Sequence, residues 1–153
     1  MEVFRIAKSK FIDDLSGAGS RLHGGRWNKK GTAVVYTSCY RSLAALELIV
    51  HVPQKNLTND YQLAIIDIPE GINMKIIYAE SLPEHWRTVS INPHLQSIGD
   101  RWLAEGIYCI LQVPSVVIPQ EWNYVINPAH PEAKEIRIVK TEDLILDERF
   151  VTN

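Results

Sequence analysis

The sequence predicts an α+β fold in one domain spanning residues 1–153, with mixed and antiparallel β-sheet packed against a few helices. Three observations predict it. A chain of 153 residues suits a single core that buries about 70% of the surface its unfolded form exposes. Strand signals outnumber helix signals, and the two do not alternate one for one as a doubly wound parallel sheet requires.

Taken in order, Val3 to Ala7 reads as a short first strand carrying Arg5, and Ser9 to Arg26, rich in Gly, Ser and Asp, reads as loop. Ala33 to Ser38 places Val34, Val35 and Tyr36 in succession, a β-branched and aromatic strand signal. Ser42 opens a helix that runs to about His51 and is ended by Pro53. Tyr61 to Ile68 and Met74 to Tyr78 are apolar, β-branched runs separated by Pro69-Glu70-Gly71, and are expected to pair as neighbours. Asn92-Pro93 precedes a second helix through Leu103, stopped by Gly106. Ile107 to Val113, Ser115 to Ile118 and Asn123 to Ile126 follow as strands between proline-marked breaks, and Ile136 to Val139 and Leu144 to Ile145 complete a β-rich tail. Gly17-Ala18-Gly19 lacks the third glycine and the strand-to-helix setting of a dinucleotide loop, so a Rossmann domain is disfavoured.

Composition narrows the function classes. A net charge of −2 offers no general field for nucleic acid or anionic lipid, so any anion has to be held locally. Cys39 and Cys109 form no CxxC, and with no secretory leader or run of about 18 apolar residues the expectation is a soluble, cytoplasmic chain with reduced thiols. The histidines at 23, 51, 85, 94 and 130 form neither HExxH nor a close pair, and Asp13-Asp14 lacks the other ligands of a calcium loop. No metal is expected.

The residues with chemical potential stand in the first third of the chain. Arg26 follows Gly24-Gly25, which lets backbone approach a ligand while the guanidinium forks onto a phosphate, and Trp27 is placed to anchor that loop. The alternative for Arg26 is a structural salt bridge. Glu47 is the only polar residue between Leu43 and Val50, and on a helix it shares a face with both, pointing to the interior or its rim. The plain alternatives there are an intrahelical pair with His51 or a rim carboxylate capping a neighbour. Arg5 lies on the strand face of Val3 and Ala7 and needs a partner if that face is inward. Arg5, Arg26, Tyr36 and Glu47 together fit a site for a dinucleotide. Ser115, between Pro114 and Val116, is ordinarily explained as a hydroxyl satisfying backbone at a strand edge.

These residues bring a family into view. The chain resembles the RES domain toxins of bacterial RES-Xre toxin-antitoxin modules, from Phe4-Arg5 through Gly24-Gly25-Arg26-Trp27-Asn28, Val35-Tyr36 and Leu46-Glu47 to Val113-Pro114-Ser115, Asn123-Tyr124 and Asn127-Pro128. The arginine, glutamate and serine of the family name look like Arg5 or Arg26, then Glu47, then Ser115. The resemblance implies an ADP-ribosyltransferase-like fold and cleavage of NAD, as substrate and not cofactor, between nicotinamide and ribose. Water, phosphate or a protein is the acceptor. It also implies an Xre-type helix-turn-helix antitoxin that plugs the NAD pocket, a toxin homodimer, and contact with DNA only through the antitoxin.

The chemistry itself asks for a carboxylate near a ribose that becomes an oxocarbenium ion, cations on the pyrophosphate and an aromatic wall for the pyridine ring. Glu47 is expected to orient the ribose and stabilise the transition state, Arg26 and Arg5 to clamp phosphates, Tyr36 to pack on nicotinamide, and Ser115 to bind ribose or amide. Two rivals are a non-catalytic interaction module and a nuclease or RNA-binding toxin, the latter weakened by the acidic balance and the lack of a metal motif.

Overall fold

A computed structural model describes residues 1–150. Seven strands form one sheet: β1 (Glu2–Lys8), β2 (Val35–Ser38), β3 (Tyr61–Asp67), β4 (Met74–Ile76), β5 (Ile110–Pro114), β6 (Trp122–Ile126) and β7 (Arg137–Asp143). Their spatial order is β4-β5-β6-β2-β1-β3-β7, with β4 and β5 parallel and the other pairings antiparallel. Among the described residues three α-helices, α1 (Ala18–His23), α2 (Arg41–His51) and α3 (Pro93–Glu105), accompany it. This is the expected α+β class. No helix among the described residues is long and apolar enough to cross a membrane.

The period-two alternation of the central strands builds a core on each face of the sheet. One face carries Val3, Val35, Ala64, Ile66, Ile110, Tyr124 and Ile126; the other carries Leu111, Val113 and Val125 packed with Trp27, Leu95 and Trp102. Helix α3 starts where the Asn92 side chain accepts the His94 N–H at 2.9 Å, with Pro93 in the first turn, and ends on Gly106 at φ 61°. Its Trp102 is fully buried, with the indole N–H on the Tyr108 carbonyl at 2.8 Å.

The structure departs from the sequence expectation at four places. β3 and β4 are not neighbours: both edges of β3 are taken, by β1 and β7, so β4 joins β5 at the opposite end of the sheet. The segment from Ser9 to Arg26 contains α1 and a 3-10 turn at Ser9–Phe11. Ser115 to Ile118 is no strand, because the Ser115 hydroxyl accepts the N–H groups of Val117 and Ile118 at 3.0 and 3.2 Å and curls the backbone into a turn. Leu144 and Ile145 lie beyond the end of β7.

Both cysteines are free, and Cys109 is fully buried. Burial, reinforced by Glu132 and Glu135, pushes its thiol from an ordinary 9.0 up to about 12. The native chain therefore keeps a proton that the unfolded chain gives up above its ordinary thiol range. Stability should be insensitive to this group below about pH 8, then fall by up to about 1.4 kcal/mol per pH unit as pH rises toward the folded value. Urea midpoints between pH 7 and 10 should show that alkaline decline, and Cys109→Ala should make it shallower.

Candidate active site

A cavity of about 460 Å³ opens on the face of the sheet that carries α2. Helix α2 presents Ala44, Glu47, Leu48 and His51 to it, an i, i+3, i+4, i+7 stripe. Phe4 and Ile6 of β1, Tyr36 and Ser38 of β2, Asn123 of β6, the Gly24–Trp27 turn, and Val89 and Ile91 are among the other residues of the wall. Leu43 lies under the helix, fully buried, whereas Val50 is 63% exposed; the Glu47 face is shared with Ala44 and Leu48, not with Val50.

Glu47 is held from behind. Its Oε1 accepts the Ser115 hydroxyl at 2.7 Å and the Asn123 side-chain N–H at 2.8 Å. Its Oε2 stands 3.6 Å from His51 Nδ1, while the Glu47 backbone carbonyl lies 2.7 Å from the same nitrogen. The intrahelical pair with His51 and the placement in the cavity are thus both present. Ser115 is fully buried and is absent from the cavity wall, so its hydroxyl is committed to Glu47 and to its own turn. The expectation that Ser115 touches a ligand is corrected: its reach ends at the carboxylate.

Arg26 comes from a tight turn closed by the Gly25 N–H on the Asn28 carbonyl at 2.9 Å. A Cβ on Gly25 would stand 2.5 Å from the Tyr36 hydroxyl and 2.9 Å from Asn28 Oδ1, so this position has room only for glycine. The Tyr36 hydroxyl donates to Asn28 Oδ1 at 2.7 Å and accepts the Trp27 N–H at 3.0 Å. Burial raises its pKa well above the ordinary value, which keeps the proton on the hydroxyl. Asn28 is fully buried, and the two N–H groups of its amide are shared among the carbonyls of Ser20, Lys29 and Thr32. The Arg26 guanidinium donates to the carbonyls of Trp86 and Thr88, both at 3.1 Å, leaving three of its five N–H donors for a ligand. Burial draws its pKa down from the ordinary value, and Glu47 and then Tyr36 oppose that shift. Arg26, Glu47 and Tyr36 all line the cavity.

Arg5 does not join them. It borders the cavity in the middle of β1, but alternation sends Phe4 toward α2, where it lies under the Arg41 guanidinium at 5.1 Å, and sends Arg5 to the opposite face. There its guanidinium donates to the carbonyls of Phe11 and Ile12 at 3.2 and 2.9 Å. Burial lowers its pKa and Asp14 opposes the shift. Arg5 is a clamp on the turn after β1, which corrects its expected place as a second phosphate ligand.

Asn123 and Asn28, the groups that fix Glu47 and the arginine turn, were not singled out for roles in the sequence, although both lie in the runs that carry the resemblance. A different group of donors was not foreseen at all: Cys109, His130 and Glu132 bring ligand atoms within 4.8 Å of one another. Their present engagements are structural. His130 Nδ1 accepts the Glu132 N–H at 3.2 Å, and the Glu132 carboxylate accepts from Asn73.

An α+β sheet with an acid, an arginine and a tyrosine gathered on one small-molecule cavity defines a protein built around that cavity. The RES domain model matches residues 2–147, and the chain belongs to the RES domain family. The Prs ADP-ribosylating toxin of Sphingobium sp. (strain YBL2) is 37% identical over 147 residues, covering 95% of this chain and 91% of the relative. The Toxin Res of Photorhabdus laumondii subsp. laumondii is 37% identical over 153 residues, covering 99% and 97%. This chain is a RES toxin of a toxin-antitoxin system. In structure, the fold is similar to a chain of the M. tuberculosis MbcT-MbcA toxin-antitoxin complex, with a TM-score of 0.78 at 16% identity over 94% of this chain and 83% of that one.

Proposed function

We propose that this toxin destroys NAD by cutting the bond between nicotinamide and ribose. The observation that carries the reading is the Glu47 carboxylate, fixed through one oxygen by Ser115 and Asn123 and facing, with Arg26 and Tyr36, a common cavity. The bond to the cationic nicotinamide breaks with its electron pair going to the pyridine nitrogen, and the ribose carbon becomes cationic. Glu47 Oε2 stabilises that charge and orients the ribose hydroxyls. Arg26 holds phosphate with its remaining donors, and the Tyr36 ring forms the wall for the pyridine. Water then adds at the ribose carbon and loses a proton, giving ADP-ribose and nicotinamide. NAD is the substrate, and this chemistry calls for no resident cofactor.

Transfer of ADP-ribose to a protein is the second reading, favoured by the name of the Sphingobium relative; phosphate is the remaining acceptor. In the cytoplasm the toxin is proposed to be restrained by an Xre-type antitoxin that closes the cavity, in an assembly built on a toxin homodimer. The toxin-antitoxin complex of the similarly folded chain supports an antitoxin partner.

Purified toxin incubated with NAD should release nicotinamide, with ADP-ribose, a phosphorylated ADP-ribose or a modified protein identified by mass spectrometry. No nicotinamide release from folded protein would refute the proposal. Arg26→Lys should lower kcat/KM by about 10- to 100-fold, mainly through KM, because an ammonium cannot reproduce the guanidinium fork. Steady-state kinetics with NAD checks it.

A further inference from the structure

We infer that Gln96 is a positioning residue for Arg26, a role that rests on the NAD-cleaving reading above. Gln96 lies half-buried on α3, outside the cavity lining, and its side-chain amide donates to the Gly25 carbonyl at 3.0 Å and the Asn28 carbonyl at 3.1 Å. These two carbonyls flank Arg26 and Trp27. The Gly25 N–H to Asn28 carbonyl bond joins the same two residues, so Gln96 clips the turn at the point where it closes. One amide group with two protons satisfies both acceptors at once. The next turn of α3 continues the cradle, with Gly99 against the Trp27 carbonyl and Asp100 accepting the Lys29 N–H at 3.3 Å.

The turn's other supports act from different sides. Tyr36 and Asn28 hold it toward the sheet, and Arg26 itself reaches to the Trp86 and Thr88 carbonyls. Gln96 sets how far the Gly25–Asn28 turn stands off α3, and with it the depth at which the guanidinium enters the cavity. Turned into a carboxylate, position 96 would present acceptors to two carbonyls, and the turn would have to move away.

The test is Gln96→Glu in the intact toxin. KM for NAD should rise about tenfold, the scale of one lost hydrogen-bonded contact, with kcat changed less than about twofold. Because the effect passes through Arg26, the Gln96→Glu, Arg26→Lys double variant should be no worse than Arg26→Lys alone. Unchanged kinetics, or multiplicative losses in the double variant, would overturn the inference. Amide hydrogen exchange supplies a readout independent of catalysis: residues 24–29 should exchange faster in Gln96→Glu while β3 keeps its protection, and unaltered exchange in that turn overturns the clip. Should the wild-type protein release no nicotinamide, the proposed reaction fails and the exchange result alone decides whether Gln96 holds the turn. If Gln96→Glu does not fold, Gln96→Met removes the donor without adding charge and carries the same measurements.

Discussion

Glu47→Gln should reduce nicotinamide release from NAD by about 10³-fold, the loss expected when a fixed group aimed at developing transition-state charge is neutralised. The substitution keeps the shape of the side chain. Its carbonyl oxygen still accepts from Ser115 and Asn123, so the two donors that hold Glu47 keep their partner. What disappears is the negative charge at the second oxygen, on the cavity side beside His51. The fold should survive, with a thermal midpoint close to that of the parent, because no buried polar group is stranded by the change. NAD turnover and circular dichroism on the same preparation check both halves. Undiminished turnover would remove Glu47 from the chemistry and leave its bonds to Ser115 and Asn123 a structural tie from α2 to the residue after β5 and to β6.

Much of this site was legible from local pattern. An acid in an otherwise apolar helix and an arginine after paired glycines both reached the cavity, since each is a costly placement unless something uses it. Alternation along β1 already put Arg5 with Val3 and Ala7, and the structure shows that this face is the one away from α2. The period fixes which residues share a face with Arg5 but not which face carries the site, so the separation of the two arginines follows only from the placement of α2 on the Phe4 face. Pairings were harder to read, because they are settled by competition between distant segments. Pro69-Glu70-Gly71 looks like a hairpin turn, yet Ile68 bonds back to Met1 and both edges of β3 are filled, leaving β4 only the edge of β5. Ser115, Asn123 and Gln96 show the same limit. Their partners lie 68 or more residues away, and no local period records such a contact.

Gly99→Ala should destabilise the toxin and remove its activity together, against the ordinary helix preference. In the interior of a helix such as α3 an alanine is favoured over glycine by about 1 kcal/mol. Gly99, however, faces the arginine turn across the closest backbone approach to any glycine of the fold: a Cβ there would overlap the Trp27 carbonyl oxygen and crowd the Trp27 carbonyl carbon at 2.7 Å. The obstacle is backbone, which cannot swing aside as a flexible side chain does. Either α3 lifts, disturbing the fully buried Leu95 and Trp102, or the Gly25–Asn28 turn withdraws, taking Arg26 and the bonds to Tyr36 with it. Overpacking of this kind costs about 1–3 kcal/mol, and a rigid carbonyl puts it at the upper end, enough to outweigh the helix gain. A net loss of about 2 kcal/mol should lower Tm by roughly 5 °C in a domain of this size. Thermal unfolding and nicotinamide release measure the two effects, and both should fall in the same variant because one carbonyl connects them. A raised Tm would mean that the helix gain dominates and that α3 and the arginine turn can separate freely, contrary to the close packing on which the position of Arg26 depends.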